Sequence, residues 1–170
     1  MEAASTKPDI SAWLTAARIP FASVAVIPFI VGGIIAWRAG NPVSWSLLAV
    51  GALAVFFICS TCHFLGEACD YREDGLSCQY GRTKYSGGML ATVKLGLTSR
   101  QLIIGAFVLL FIALFAGIVI LVSWQSWKLF GLGVLGAACA VAYSFPPLRL
   151  AKRGLGELVI GFCYGWLTMV

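Results

Sequence analysis

The stretch HFLGEACDYRED, residues 63–74, ends a long apolar run and holds four of the chain's seven acidic residues. A helix advances about 100° per residue, so Glu67, Asp70 and Asp74 are predicted to lie along one face. Glu73 is predicted to point away from that face. Three carboxylates on one face repel one another and raise one another's pKa values. A bound cation is the simplest reason for keeping them together.

The composition of the 170-residue chain is that of a membrane protein. Hydrophobic residues make up 60% of it and charged residues 11%, whereas soluble domains carry about 25% charged residues. The predicted fold class is an all-α polytopic membrane protein, because the alternating segments of about ten residues that form a transmembrane barrel are absent. The net charge of +5 does not indicate nucleic-acid binding, since the basic residues lie between apolar runs. The six cysteines do not imply a disulfide framework in such a chain.

Hydropathy divides the chain into about five transmembrane helices within a single membrane domain, residues 1–170. The last apolar run is shorter than the ~20 residues that a crossing needs, so we expect the chain to be the amino-terminal part of a longer protein. A secretory signal is the alternative for the first run, but further spans follow it without a clear cleavage site. The spans are predicted at residues 21–37, 44–65, 102–122 and 129–143, and from Leu155 onward.

Lys and Arg are distributed unevenly between the predicted loops. Ten of the twelve lie in the amino-terminal segment, the 66–101 loop and the 144–154 loop, and only Arg38 and Lys128 lie in the two intervening turns. Cytoplasmic loops carry the excess of positive charge in membrane proteins. The amino terminus and the acidic segment are therefore predicted to face the cytoplasm, in a multi-pass protein of the inner (cytoplasmic) membrane of the cell.

Basic residues accompany the acidic segment closely, at Arg72, Arg82 and Lys84. Carboxylates with a hard cation, beside guanidinium and ammonium groups, form the combination that binds a diphosphate. The alternative is a solvated helix end beside the membrane. His63, four residues before Glu67, is expected to be a hydrogen-bonding residue at the edge of a cavity, because Mg²⁺ prefers oxygen ligands.

Three other motifs in this region are weaker. Residues 59–63, CSTCH, match the c-type haem attachment pattern. They lie at the cytoplasmic end of a predicted span, whereas haem attachment occurs on the other side of the membrane, so no haem is predicted. A zinc site would lack a second pair of ligands. Residues 70–81 resemble an EF-hand loop only faintly, because Arg72 takes a ligand position and Gly81 replaces the bidentate glutamate.

Taken together, these motifs resemble the UbiA superfamily of intramembrane prenyltransferases over nearly the whole chain. The first aspartate-rich motif of that family, Asn-Asp-x-x-Asp-x-x-x-Asp, follows its second span. Gly66, Glu67, Asp70 and Asp74 stand at the four specified positions, so two acids match, Glu replaces one Asp, and Gly replaces the Asn. The other similar segments are Trp13–Pro20, Tyr80–Leu90 with its Ser86-Gly87-Gly88, Leu97–Gln101, Tyr143–Arg149 and Arg153–Glu157.

The resemblance implies a nine-helix bundle around a central cavity, with a second aspartate-rich motif beyond Val170. It implies Mg²⁺-dependent transfer of a polyprenyl group from its diphosphate to an aromatic acceptor, in contact with the lipid bilayer. The implied catalytic and metal-binding residues are Glu67, Asp70 and Asp74, and the implied diphosphate-binding residues are Arg72, Arg82 and Lys84.

The implied acceptor follows from two segments, Ser86-Gly87-Gly88 and Tyr143–Glu157. They are most similar to those of 1,4-dihydroxy-2-naphthoate polyprenyltransferases of menaquinone biosynthesis, and 4-hydroxybenzoate or another quinone precursor is the alternative. A transporter or a non-enzymatic membrane subunit would place ionisable residues within the spans, whereas here they gather at one face of the membrane. A phosphatidyltransferase is excluded because Asp74-Gly75 is not followed by the Ala-Arg that its motif requires.

Overall fold

The computed structural model describes residues 9–71, 73, 74, 76 and 96–170. All regular secondary structure within these ranges is helical. Tyr71, Glu73, Asp74 and Leu76 are helical as well. The elements in chain order are α1 (Ile10–Ala17), α2 (Ile19–Arg38), α3 (Trp45–Cys69), α4 (Ser99–Trp124), α5 (Trp127–Ser144), a 3-10 helix (Leu150–Arg153), α6 (Gly156–Ile160) and a π-helix (Gly161–Leu167).

Four of these helices, α2 to α5, are long and apolar enough to cross a membrane, with 20, 25, 26 and 18 residues. They match the four complete spans predicted from hydropathy to within a few residues at each end. The fifth predicted span is occupied by α6 and the π-helix, which form a shorter apolar segment over Gly156–Leu167. The prediction of an all-α polytopic membrane protein is confirmed.

Helix α1 was not predicted from hydropathy. Its first turn is capped by Asp9, whose carboxylate accepts a hydrogen bond from the Ile10 N–H at 2.7 Å. Trp13 packs against Phe64 of α3, with the two ring centroids 5.7 Å apart. Arg18 adopts a left-handed backbone conformation (φ 50°, ψ 49°) that separates α1 from α2. The amino-terminal segment thus packs on α3 before the chain enters its first span.

Helix α3 is the central element, because it contacts α1, α2, α4 and α5. Small residues allow α4 to approach it closely. The Thr61 hydroxyl donates to the Ala106 carbonyl of α4 at 3.2 Å, and a Cβ at Gly105 would lie 3.0 Å from the Phe64 ring of α3. Such residues are typical of helix interfaces in membranes. Packing on four sides therefore fixes the place of the acidic end of α3.

The outer surface of α4 is strongly apolar. Phe111 and Phe115 are 73% and 62% exposed, which suits contact with lipid. Trp124 and Trp127 flank the two-residue turn between α4 and α5, and Gln125 in this turn is left-handed (φ 51°). Tryptophans at such helix ends are typical of the membrane interface.

Two contacts show which helix ends lie together. The Ala17 carbonyl, just before α2, lies 3.0 Å from Nδ1 of His63 near the end of α3. Arg149, after α5, contacts Asp70, after α3. The segments that were predicted to share the cytoplasmic face therefore meet at one end of the bundle.

Candidate active site

The acidic segment lies at the carboxyl end of α3. Asp70 is the first residue beyond this helix, and its backbone (φ −105°, ψ 11°) leaves the helical range, although its N–H still donates to the Gly66 carbonyl at 2.9 Å. Helical structure resumes at Tyr71, and the Asp74 N–H donates to the Asp70 carbonyl at 2.9 Å. Glu67 and Asp74 thus belong to helical turns on either side of a break, whereas the predicted common face requires one continuous helix.

The first carboxylate of the segment is deeply buried. Glu67 is 2% exposed, whereas the side chain of Asp70 is 27% exposed. Gly66, where the resemblance leads one to expect Asn, faces α5, and a Cβ added there would lie 3.5 Å from Oγ of Ser144. Glu67 therefore lies inside the bundle, and Asp70 lies at its rim.

Two basic side chains from the segment after α5 bind the acidic segment. Arg149 Nη2 lies 2.7 Å from Oδ1 of Asp70 and 3.4 Å from Oε1 of Glu73, and it also donates to the Cys69 carbonyl at 3.0 Å. Lys152 Nζ lies 2.7 Å from the same oxygen of Glu73. One guanidinium thus contacts both Asp70 and Glu73, so the prediction that Glu73 points away from the carboxylate face is wrong.

The charges in this cluster shift one another's pKa values. The hydrogen bond from Lys152 lowers the pKa of Glu73, and the hydrogen bond to Asp70 raises the pKa of Arg149. Both shifts favour the ionised forms. Two carboxylates are therefore balanced by two cations, and their contacts join the end of α3 to the segment after α5.

Arg149 and Lys152 were not among the predicted site residues. Both were counted toward the positive charge of the 144–154 loop, and Arg149 also ends the segment Tyr143–Arg149 that resembles the family. That same count placed this loop on the face that carries the acidic segment, which is the signal that could have identified them. The predicted diphosphate ligands Arg72, Arg82 and Lys84 lie outside the residues that the structure describes.

The carboxylates can be compared with the needs of Mg²⁺, the metal that the resemblance implies. Across the described ranges, no group of three or more His, Cys, Asp or Glu residues is arranged to hold a metal ion. Mg²⁺ needs fewer, because one or two carboxylates hold it when waters and phosphate oxygens complete its shell. Asp70 and Asp74 lie one helical turn apart and supply such oxygens. This pair fits Mg²⁺ in the chemistry of its donors.

An apolar groove of about 420 Å³ lies between α4 and α5. Leu110 and Leu114 line it from α4, Val141 is one of its residues from α5, and it continues along residues 145–148. The next residue is Arg149. The lining of this open apolar groove therefore ends, along the chain, at the residue before Arg149.

His63 is a hydrogen-bonding residue, as predicted. The Ala17 carbonyl can only accept, so Nδ1 carries the proton at 3.0 Å from it. Nε2 faces the Cys59 thiol at 4.0 Å, and that sulfur lies 3.1 Å from the Tyr164 hydroxyl. A polar chain therefore links α1, α3 and the π-helix below the carboxylates.

Comparison with known proteins gives one match. Residues 25–170 match the model of the UbiA prenyltransferase family. No curated protein and no solved structure matches the chain. The matched region covers residues 25–38 of α2, all of α3 to α5 and the charged cluster, and it includes every predicted site residue. The chain therefore belongs to the UbiA prenyltransferase family.

Proposed function

We propose that this protein transfers a polyprenyl group from its diphosphate to an aromatic acceptor within the membrane. The observation that carries the proposal is the placement of Asp70 and Asp74, with Arg149 and Lys152, at the end of an apolar bundle that belongs to this family. The apolar groove that ends beside Arg149 offers a place for the hydrocarbon tail. A lipid substrate with a charged head needs these two surfaces side by side.

The carboxylates have the metal-binding role in this proposal. Asp70 and Asp74 would hold Mg²⁺ together with Glu67, and the bound ion supplies positive charge that stabilises a departing diphosphate. Arg149 orients Asp70 by direct contact. Lys152 pairs with Glu73, which contacts the same guanidinium as Asp70. We assign the role of direct diphosphate ligands to Arg72, Arg82 and Lys84.

The reaction breaks the bond between the first prenyl carbon and the diphosphate oxygen, and the diphosphate leaves with the electron pair. An electron-rich ring carbon of the acceptor forms the new carbon–carbon bond. Preorganised cations lower the barrier because negative charge develops on the leaving group. Apolar side chains such as those along the groove exclude the water that would capture the allylic cation.

We propose 1,4-dihydroxy-2-naphthoate as the acceptor, in menaquinone biosynthesis. The similarity of residues 143–157 to enzymes of that type supports this choice over 4-hydroxybenzoate. The ring carbon that bears the carboxylate would form the new bond and lose carbon dioxide, whose bonding electrons return to the ring. We also propose that the charged cluster faces the cytoplasm at the inner membrane, because ten of the twelve Lys and Arg residues lie in segments predicted on that side.

The test replaces each rim carboxylate in the full-length protein and measures prenyl transfer in membranes, with both acceptors. Asp70→Asn and Asp74→Asn are each expected to lower the rate by about 10²–10³, the usual effect of losing one preorganised electrostatic partner. Raising the Mg²⁺ concentration should partly restore it. The control is Asp9→Asn, because Asn caps a helix as well as Asp does. Near-normal turnover in both rim variants would refute the metal-binding assignment.

A further inference from the structure

Arg18 occupies the junction between α1 and α2 in an unusual conformation. Its backbone is left-handed (φ 50°, ψ 49°), which is uncommon for any residue other than glycine. Residues held in this region cluster at ligand-binding and catalytic sites. The second arginine with such a backbone is Arg149 (φ 44°), which already belongs to the charged cluster.

The side chain of Arg18 lies against an aromatic ring, and no carboxylate of the described residues is paired with it. Its guanidinium carbon lies 4.3 Å from the centroid of the Phe21 ring, and Phe21 meets His63 edge-on with their ring centroids 6.5 Å apart. Its Nε is buried and has no hydrogen-bond partner within the described part of the chain. A buried donor without an acceptor is costly, and ionisable groups at membrane depth usually face a cavity. These features predict an anion that binds here.

The side chain of Arg18 lies against α3. The Phe21 ring, 4.3 Å from the guanidinium carbon, meets the His63 ring of α3 edge-on. Arg18 follows Ala17, whose carbonyl oxygen lies 3.0 Å from Nδ1 of His63 on α3, so Arg18 lies near the level of His63. Asp70 lies seven positions farther along, which corresponds to about 10 Å at 1.5 Å per helical residue. Arg18 therefore lies beside α3 and deeper in the bundle than the charged cluster.

We propose that Arg18 binds the carboxylate of the aromatic acceptor, on the assumption that the function proposed above is correct. The planar guanidinium matches a carboxylate in a bidentate contact, and the Phe21 ring beside it favours an aromatic partner. The diphosphate would lie farther out, at Asp70, so the acceptor ring would lie between the two anionic groups. A product that has lost its carboxylate also loses this contact, which favours its release.

The experiment measures KM for both substrates in the full-length protein in membranes, for wild type, Arg18→Gln and Arg18→Lys. Arg18→Gln is expected to raise KM for 1,4-dihydroxy-2-naphthoate about 10- to 100-fold, the effect of losing hydrogen bonds to a charged group. KM for the prenyl diphosphate should stay unchanged. For Arg18→Lys, KM for 1,4-dihydroxy-2-naphthoate should lie between the values of wild type and Arg18→Gln. The matched control is Arg38→Gln at the other end of α2, because Arg38 also lies over an aromatic ring, that of Trp37.

Three outcomes would overturn the proposal. The first is a rise in KM for the prenyl diphosphate alone, which would place the diphosphate at Arg18. The second is an equal rise in KM when the acceptor is 1,4-naphthalenediol, which has no carboxyl group; this would indicate a structural role for Arg18. The third is an unchanged KM for both substrates.

Binding of 1,4-dihydroxy-2-naphthoate to the purified protein, measured by tryptophan fluorescence, tests the carboxylate site independently of the proposed function. Weaker binding to Arg18→Gln than to wild type, without prenyl transfer in either, would support the carboxylate site and refute the transferase. Equal binding to both proteins would refute the carboxylate site whether or not transfer occurs.

Discussion

Replacing Arg149 by Gln is predicted to slow prenyl transfer about 30-fold, the rate equivalent of about 2 kcal/mol. The guanidinium makes three contacts through Nη2: with Asp70 at 2.7 Å, with the Cys69 carbonyl at 3.0 Å and with Glu73 at 3.4 Å. The side chains of Arg149, Asp70 and Glu73 are 24%, 27% and 44% exposed, so solvent screening reduces the value of each pair.

The magnitude follows from these contacts. A partly exposed ion pair contributes up to about 1 kcal/mol, so the short contact with Asp70 takes this upper value and the long one with Glu73 adds little. A hydrogen bond from a charged donor to a carbonyl contributes about 1.5 kcal/mol when protected and somewhat less at this exposure. We expect the loss in the rate of transfer, because Asp70 is no longer held in position.

The assay is transfer of a labelled prenyl group to the acceptor in membranes that contain equal amounts of each variant. Arg153→Gln is the matched control, because Arg153 lies in the same segment, is exposed and, among the residues that the structure describes, donates to the Pro147 carbonyl alone, at 3.2 Å. Its rate should stay within about threefold of wild type, a difference below 1 kcal/mol. A similarly small effect of Arg149→Gln would refute the reasoning, provided that its unfolding temperature matches that of wild type.

Two further predictions concern stability. Gly105→Val should destabilise the protein by about 1–3 kcal/mol through overpacking, because a Cβ there would lie 2.9 Å from Trp13; thermal unfolding should show a lower midpoint, whereas Gly131→Ala, with open space around it, should not. The lowered pKa of Glu73 means that its pairing stabilises the fold fully above its ordinary value of 4.5 and that this contribution is lost as the pH falls through the lowered value. The free energy of unfolding should therefore decrease less at acid pH in Glu73→Gln than in wild type. An equal decrease in both proteins would contradict the role of Lys152.

The long helices could be predicted from the sequence because apolar runs of this length have few alternatives in a membrane. The start of α4 was extended by local capping: Thr98 and Gln101 form a reciprocal capping box, so the helix begins at Ser99, three residues before the predicted start. Helix α1 was missed because eight residues with a polar cap give too weak a hydropathy signal. Its stability comes from the packing of Trp13 on Phe64, a contact with a distant part of the chain.

The site was predictable only in part. The acidic segment was identified from its residues, but its geometry depends on Arg149, which is separated from Asp70 by 79 positions. No periodicity within residues 63–74 encodes that contact. The break at Asp70 and the approach of Glu73 to the same guanidinium are properties of the folded bundle. Arg18 was likewise visible as a residue, whereas its left-handed backbone was not.

The hydrogen bond from Arg149 to the Cys69 carbonyl has a consequence for the affinity of the site for cations. The final carbonyl groups of a helix have no partner within it and together carry roughly half a negative elementary charge. Cys69 ends a helix of 25 residues, so the peptide dipoles of α3 attract positive charge at the place where its carboxylates do. Neutralising one acidic side chain therefore leaves the partial negative charge at the end of α3 in place. The affinity for a divalent ion should decline in steps as the acidic side chains are removed one after another.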